Sequence, residues 1–150
     1  MSKLIAHLIG YPNYKPEAGI INYYHLNSTL SGHRDYSEKN MSAPLISVSM
    51  GNSALFLIGT QSKQVKPNSI MLKSGDIVIM SQQSRLAYHG VPKILNDSQL
   101  ENILNYDEND EEFESFKNSK FYVSDTEWKV FFKYIKINRI NLNIRQVNFY

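Results

Sequence analysis

The segment Arg139-Ile-Asn-Leu-Asn-Ile-Arg-Gln-Val147 limits what this chain can fold into more than any other. Ile140, Leu142 and Ile144 alternate strictly with Arg139, Asn141, Asn143 and Arg145. A period of two belongs to a β-strand and not to a helix, so the segment is expected to be a half-buried strand carrying two arginines and two asparagines on one face. Such a face is costly to bury without anions. Either it is wet or paired with local acids, or it lies against a small anion. The planar guanidinium fork matches a carboxylate in a bidentate way. Acids are scarce outside residues 97–127, which favours a bound dicarboxylate.

The remaining pattern is a series of short β-type runs. Residues 19–26, 44–50, 53–59, 69–72, 76–80 and 84–91 read as strands. Gly51-Asn52 reads as the turn of a hairpin, and Lys73-Ser74-Gly75 as a second turn. Two helices break the series. Residues 2–9 have Ser2 as a cap, Leu4, Ile5, Leu8 and Ile9 as one face, and Gly10 as a stop. Ser124 followed by Glu127 is a capping-box start for a helix of about ten residues ahead of the last strand. The expected class is therefore mainly β (α+β), an all-β jelly roll or barrel with a short N-terminal helix and one late helix. A length of 150 residues fits a single domain.

Composition narrows the chemistry. Cysteine is absent, which excludes disulfides, thiolate metal sites and cysteine nucleophiles, and agrees with an intracellular protein of the cytoplasm or nucleus. No run of 18 apolar residues exists, so no membrane-spanning helix is expected. The net charge of +2 conceals a split: residues 97–127 hold ten acids and two lysines, and the rest of the chain holds 14 basic and four acidic residues. That balance suits either a polyanion-binding surface or a solvated acidic insertion, over 97–123, on a mildly basic domain.

Four histidines are candidates for chemistry. His33 and Asp35 lie two apart, and an extended backbone puts both on one face about 7 Å apart along the chain. With His89 they form a two-histidine, one-carboxylate set, which suits non-haem Fe(II) and leaves coordination positions open for oxygen chemistry. The plainer reading is a chance His-x-Asp and a hydrogen-bonded core histidine. His7 and His25 read as structural. Asn22 and Tyr24 face together from the strand before His33.

In this order, Asn22-x-Tyr24, His33-x-Asp35, Ser84-Arg85-Leu86-x-x-His89 and Arg139-x-Asn141-x-x-x-Arg145 resemble the AlkB family of Fe(II)- and 2-oxoglutarate-dependent dioxygenases. The stretches Ala18–Leu30, Ser74–Ser81 and Ile144–Val147 look most like its homologue 1 branch. The resemblance covers residues 1 to about 95 and 124–148. It implies a double-stranded β-helix, with His33, Asp35 and His89 as Fe(II) ligands. Asn22, Tyr24, Arg139 and Asn141 would hold 2-oxoglutarate, Arg139 gripping its distal carboxylate, and Arg145 would stand near the metal-side carboxylate or Asp35. The implied reaction uses O₂ to demethylate N-methylated bases in nucleic acid, tRNA or DNA. Arg34, Lys39, Lys63, Lys66 and Arg85 are candidates for phosphate contact, each weighed against an ordinary solvated charge.

The match departs from the family at three places. Asn143 replaces a small hydroxyl residue, and Ser37 stands where several members carry an acid near the base. Only about 20 residues precede the Asn-x-Tyr strand, so the domain is expected to be truncated at its N-terminus, without the nucleotide-recognition lid. It would then be a compact variant, a fragment, or a subunit completed by a second chain over the open sheet edge. A protein hydroxylase and a noncatalytic nucleic-acid or protein binding domain of the same fold are the competing functions.

Overall fold

The computed structural model describes residues 1–96 and 123–150, so the expected acidic insertion lies, but for its last residue, outside the described residues. Helix α1 (Ser2–Leu8) is followed by β1 (Ala18–His25), β2 (Leu30–His33), β3 (Leu45–Gly51), β4 (Ala54–Ile58), β5 (Asn68–Leu72) and β6 (Ile77–Met80). A 3₁₀ turn (Gln82–Leu86), β7 (His89–Ile94), α2 (Asp125–Ile137) and β8 (Asn138–Arg145) complete the order. The strands form two four-stranded antiparallel sheets, β1-β8-β3-β6 and β2-β7-β4-β5. This is the jelly roll expected from the short strands.

The alternating C-terminal segment is the centre of the first sheet. β8 pairs with β1 on one side, setting Asn22 opposite Asn141 and Tyr24 opposite Arg139, and with β3 on the other. Its polar face turns inward. Arg139, Asn141 and Arg145 are buried, lining the space between the sheets, while Ile144 packs outward against Ala6, Tyr14, Ala43 and Ile46 beneath α1. Both faces are thus covered, one by apolar packing and the other by a polar cavity. The apolar core between the sheets comprises Tyr24, Leu45, Phe56, Leu72, Met80, Val91 and their neighbours.

Local structure departs from expectation in four places. Gly51-Asn52 does not close a hairpin, because β3 and β4 belong to different sheets. Gly51 sits at φ +82°, and a Cβ there would come 2.5 Å from the Asn138 carbonyl oxygen, so the position demands glycine. The buried Asn52 amide donates to the carbonyls of Lys136 and Asn138, tying the crossing between sheets to the α2–β8 junction. Ser2 does not cap α1, since Met1 already accepts the first helical bond, from the Ile5 N–H. The helix docks through Ile5 and Ala6, leaving Leu4 and Leu8 exposed. Residues 84–91 divide between the 3₁₀ turn and β7. The capping box at α2 forms as expected: Ser124 Oγ accepts from the Glu127 N–H, and the Glu127 carboxylate accepts from the Ser124 N–H.

Candidate functional site

Between the two sheets lies a cavity of about 350 Å³. All eight residues named above for metal and cosubstrate line it: Asn22, Tyr24, His33, Asp35, His89, Arg139, Asn141 and Arg145. Each sheet supplies one chemistry. β2 and β7 bring His33 and His89 opposite each other in register, with ring centroids 4.4 Å apart, and Asp35 follows just beyond the end of β2. β1 and β8 supply the amides, the phenol and the guanidinium groups.

His33, Asp35 and His89 are, among the described residues, the one group with three metal-type donor atoms within 4.8 Å of one another. Their hydrogen bonds define how they face. His33 Nδ1 lies 3.0 Å from the Ser31 carbonyl oxygen, and His89 Nδ1 lies 3.1 Å from that of Ala87. A carbonyl only accepts, so these contacts assign the ring proton to Nδ1 and turn the Nε2 lone pair inward. Nε2 of His33 and of His89 then stand 3.9 Å and 3.5 Å from the Asp35 carboxylate. Three electron-rich atoms converge, and only a cation reconciles them, either a shared proton or a metal ion. Two imidazoles and a carboxylate suit a first-row divalent metal such as Fe(II).

The carboxylate is held from behind by a buried ionic chain. Asp35 Oδ1 accepts from Arg145 Nη2 at 2.9 Å, Arg145 Nη1 donates to Glu38 at 2.5 Å, and Glu38 accepts from Arg85 Nη2 at 2.9 Å. Arg85 also donates to the backbone carbonyls of Ala43 and Asp35. Two of the expectations change here. Arg85 is buried and spent on Glu38, so it cannot serve as a phosphate contact. Arg145 does have local acids, and its position beside Asp35 is one of the two anticipated. Glu38 was not anticipated at all. It sits in a polar loop, and only the arginine-bearing face of the terminal strand hints that a buried acid is needed.

Burial by itself raises the Asp35 carboxyl pKa. The His89 ring and the Arg145 guanidinium outweigh it and hold the group at about 2. Glu38 is likewise lowered against its burial by Arg145 and Arg85. A depressed folded-state pKa stabilises the fold in full above the unfolded value near 4 and loses that contribution as pH falls through 2. Asp35 alone accounts for about 2 kcal/mol. Urea midpoints of chelator-treated protein should therefore decline steadily between pH 4 and pH 2, and a midpoint flat over that interval would refute the pairing.

The other side of the cavity holds a cation that has no counter-ion among the described residues. Arg139 is 1% exposed. Nη1 donates to the Asn52 carbonyl at 3.0 Å, Nη2 donates to Ser49 Oγ at 2.7 Å, and Nε has no partner. Burial lowers its pKa, with Tyr24 and Asp76 acting in the opposite sense. Burial also raises the pKa of the Tyr24 hydroxyl, which keeps it protonated and a donor. Asn141 links this side together, donating to Ser47 Oγ at 2.6 Å and accepting from the Asn22 amide at 3.3 Å. A buried guanidinium with an orphaned N–H, beside a phenol and two amides, has the donor set of a carboxylate site. It therefore fits 2-oxoglutarate. His25 is structural, as expected, pairing with Asn138 at 2.5 Å.

The family profile described as "2OG-Fe(II) oxygenase superfamily" matches residues 1–145. The chain is 38% identical over 148 residues to the human protein named "Nucleic acid dioxygenase ALKBH1", an alignment covering 98% of this chain and 38% of that one. It is 37% identical to "tRNA demethylase abh1" of Schizosaccharomyces pombe, over 98% of this chain and 42% of the relative. It is 38% identical to "DNA N(6)-methyladenine demethylase ALKBH1A" of Arabidopsis thaliana, over 89% and 35%. The chain thus spans about two fifths of the length of these relatives. Among solved structures, OsALKBH1 superposes with a TM-score of 0.60 at 26% identity, covering 89% of this chain and 51% of that chain.

Proposed function

The chain belongs to the 2OG-Fe(II) oxygenase superfamily, within its AlkB family, and from that membership we propose that it is an Fe(II)- and 2-oxoglutarate-dependent dioxygenase that demethylates N-methylated bases in nucleic acid. One observation carries the reading. A single cavity joins three converging metal-type donors at the edge of one sheet to a buried arginine on the other that has no acidic partner among the described residues. The names of the relatives span nucleic acid, tRNA and DNA, which supports a methylated base as substrate class without choosing the polymer.

His33, Asp35 and His89 would hold the metal. Bound Fe(II), 2-oxoglutarate and O₂ together supply the oxidation: 2-oxoglutarate leaves as succinate and CO₂, the N-methyl carbon is hydroxylated, and the product sheds formaldehyde. The chain's own residues do the positioning. Arg139 offers its guanidinium to one carboxylate of the cosubstrate, and Tyr24 donates its hydroxyl beside it. Asn22 and Asn141 keep their amides oriented through their mutual hydrogen bond. Arg145 and Glu38 fix the rotamer of Asp35. Phe56, Leu72 and Val91 wall the cavity against water. Ser37 lies at the same cavity and leaves base choice free of an acidic contact.

The test is succinate and formaldehyde release from pure protein with Fe(II), 2-oxoglutarate and methylated single-stranded RNA or DNA. Stoichiometric release is expected, and absence of 2-oxoglutarate binding would end the proposal. Replacing Arg139 by methionine removes a charge-assisted contact of about 1.5–3 kcal/mol. It should raise KM for 2-oxoglutarate by roughly 10- to 100-fold. An unchanged KM would show that Arg139 does not hold the cosubstrate.

A further inference from the structure

The outer face of the β2-β7-β4-β5 sheet carries a second cavity, of about 540 Å³, between the strands and the loop over residues 59–67. Leu57, Val65, Pro67 and Pro92 supply its apolar wall, and Lys63 and Tyr88 stand at it. Among the described residues no acid lines it. His89 borders both this cavity and the inner one, so the two are separated by the thickness of one strand.

Tyr88 is flanked by two cations. The Arg34 guanidinium carbon and the Lys63 Nζ each lie 4.9 Å from its ring centroid. Arg34 is also 5.9 Å from the ring of Tyr36, which is 71% exposed. Among the described residues neither cation forms an ion pair. A single ring attracts each cation by only about 0.5–1 kcal/mol, while the two positive charges repel each other. Such a pair is stabilised by an anion placed between or above them. Arg34 and Tyr88 each adjoin a metal-type ligand in sequence, yet neither lines the inner cavity. The cluster therefore does not compete for the carboxylate held inside.

The chemistry that suits two cations without an ion pair among the described residues, an exposed aromatic ring and an adjoining apolar groove is a phosphodiester chain with exposed bases. Phosphates would meet Arg34 and Lys63, and a base would stack on the exposed ring of Tyr36. We propose that this surface binds the strand flanking the modified base, as single-stranded nucleic acid running past the inner cavity. The proposal rests on the demethylase reading for the identity of the inner substrate, but the surface is argued from its own residues.

The test uses a labelled, unmethylated single-stranded oligonucleotide, with binding read by fluorescence anisotropy across a salt series. Arg34→Ala with Lys63→Ala should weaken binding at least tenfold. It should also reduce the slope of log Kd against log salt by about 0.7 for each lost phosphate contact. Lys63→Glu alone, on an exposed loop where misfolding is not a concern, should move both quantities the same way. On methylated oligonucleotide the loss should appear in KM rather than kcat. Lys129→Ala with Lys133→Ala, which removes the same charge from exposed positions on α2, should leave the slope intact. The proposal is overturned if wild-type protein does not bind, if the Arg34 and Lys63 variants bind like wild type, or if the α2 control weakens binding equally. Cluster-dependent binding without succinate release would instead overturn the demethylase reading and leave this surface standing.

Discussion

Substituting Glu38 by alanine lowers folding stability by about 3–5 kcal/mol, which for a chain of this length is a melting-temperature drop of roughly 6–20 °C. Glu38 is 8% exposed and accepts from two arginines that are themselves buried. Removing it leaves the Arg85 and Arg145 guanidinium groups with no counter-charge between them. Arg85 keeps its backbone carbonyl contacts and Arg145 keeps Asp35, so the loss is large without being total. Glu38→Gln retains the shape and one acceptor, and should fall between alanine and wild type. Thermal melts of the three proteins check this ordering, and an alanine variant melting within about 2 °C of wild type would refute the network.

The second large effect is on turnover. Asp35→Ala should reduce Fe(II)-dependent succinate formation by more than the roughly 100-fold that loss of an outer partner of a metal ligand produces. The same substitution strips Arg145 of one acid, so stability must be measured beside activity. His33→Ala separates the two. His33 takes no part in the arginine chain and is half-exposed, so its melting temperature should stay near wild type while succinate formation falls as far. Titration with Mn(II) by calorimetry supplies a readout independent of turnover. Wild-type succinate yield from either variant would remove the three-residue set from the mechanism.

Much of this site was legible in the linear sequence because its parts lie on strands. Alternation alone places Arg139 with Asn141 and Arg145, Asn22 with Tyr24, and His33 with Asp35, and the register of β1 against β8 turns these faces toward one cavity. What alternation cannot say is which sheet a strand joins. Gly51-Asn52 has hairpin chemistry, yet a left-handed glycine serves a crossing between sheets equally well. Glu38 and Arg85 escaped for a different reason. A glutamate in a polar loop and an arginine beside a turn both have the composition of solvated charges, and their burial arises only when residues 38, 85 and 145 meet. From the sequence Arg85 therefore reads as a phosphate contact or a solvated charge, whereas the fold buries it.

The central place of β8 has a consequence for the order in which the molecule is made. During synthesis the metal-type ligands are complete once residue 89 has emerged. In the described structure β1 pairs only with β8, which follows it by more than a hundred residues. Until then, among the described residues, Ile20, Ile21 and Tyr23 on β1 have no strand to pair with, and Asn22 and Tyr24 lack Arg139 beside them. Pairing at such sequence separation is slow and leaves strand edges open to other chains. The Arg139 side of the cavity therefore forms after the side that carries His33, Asp35 and His89. A nascent chain stopped short of residue 139 would carry a competent-looking ligand triad and no means of holding a dicarboxylate.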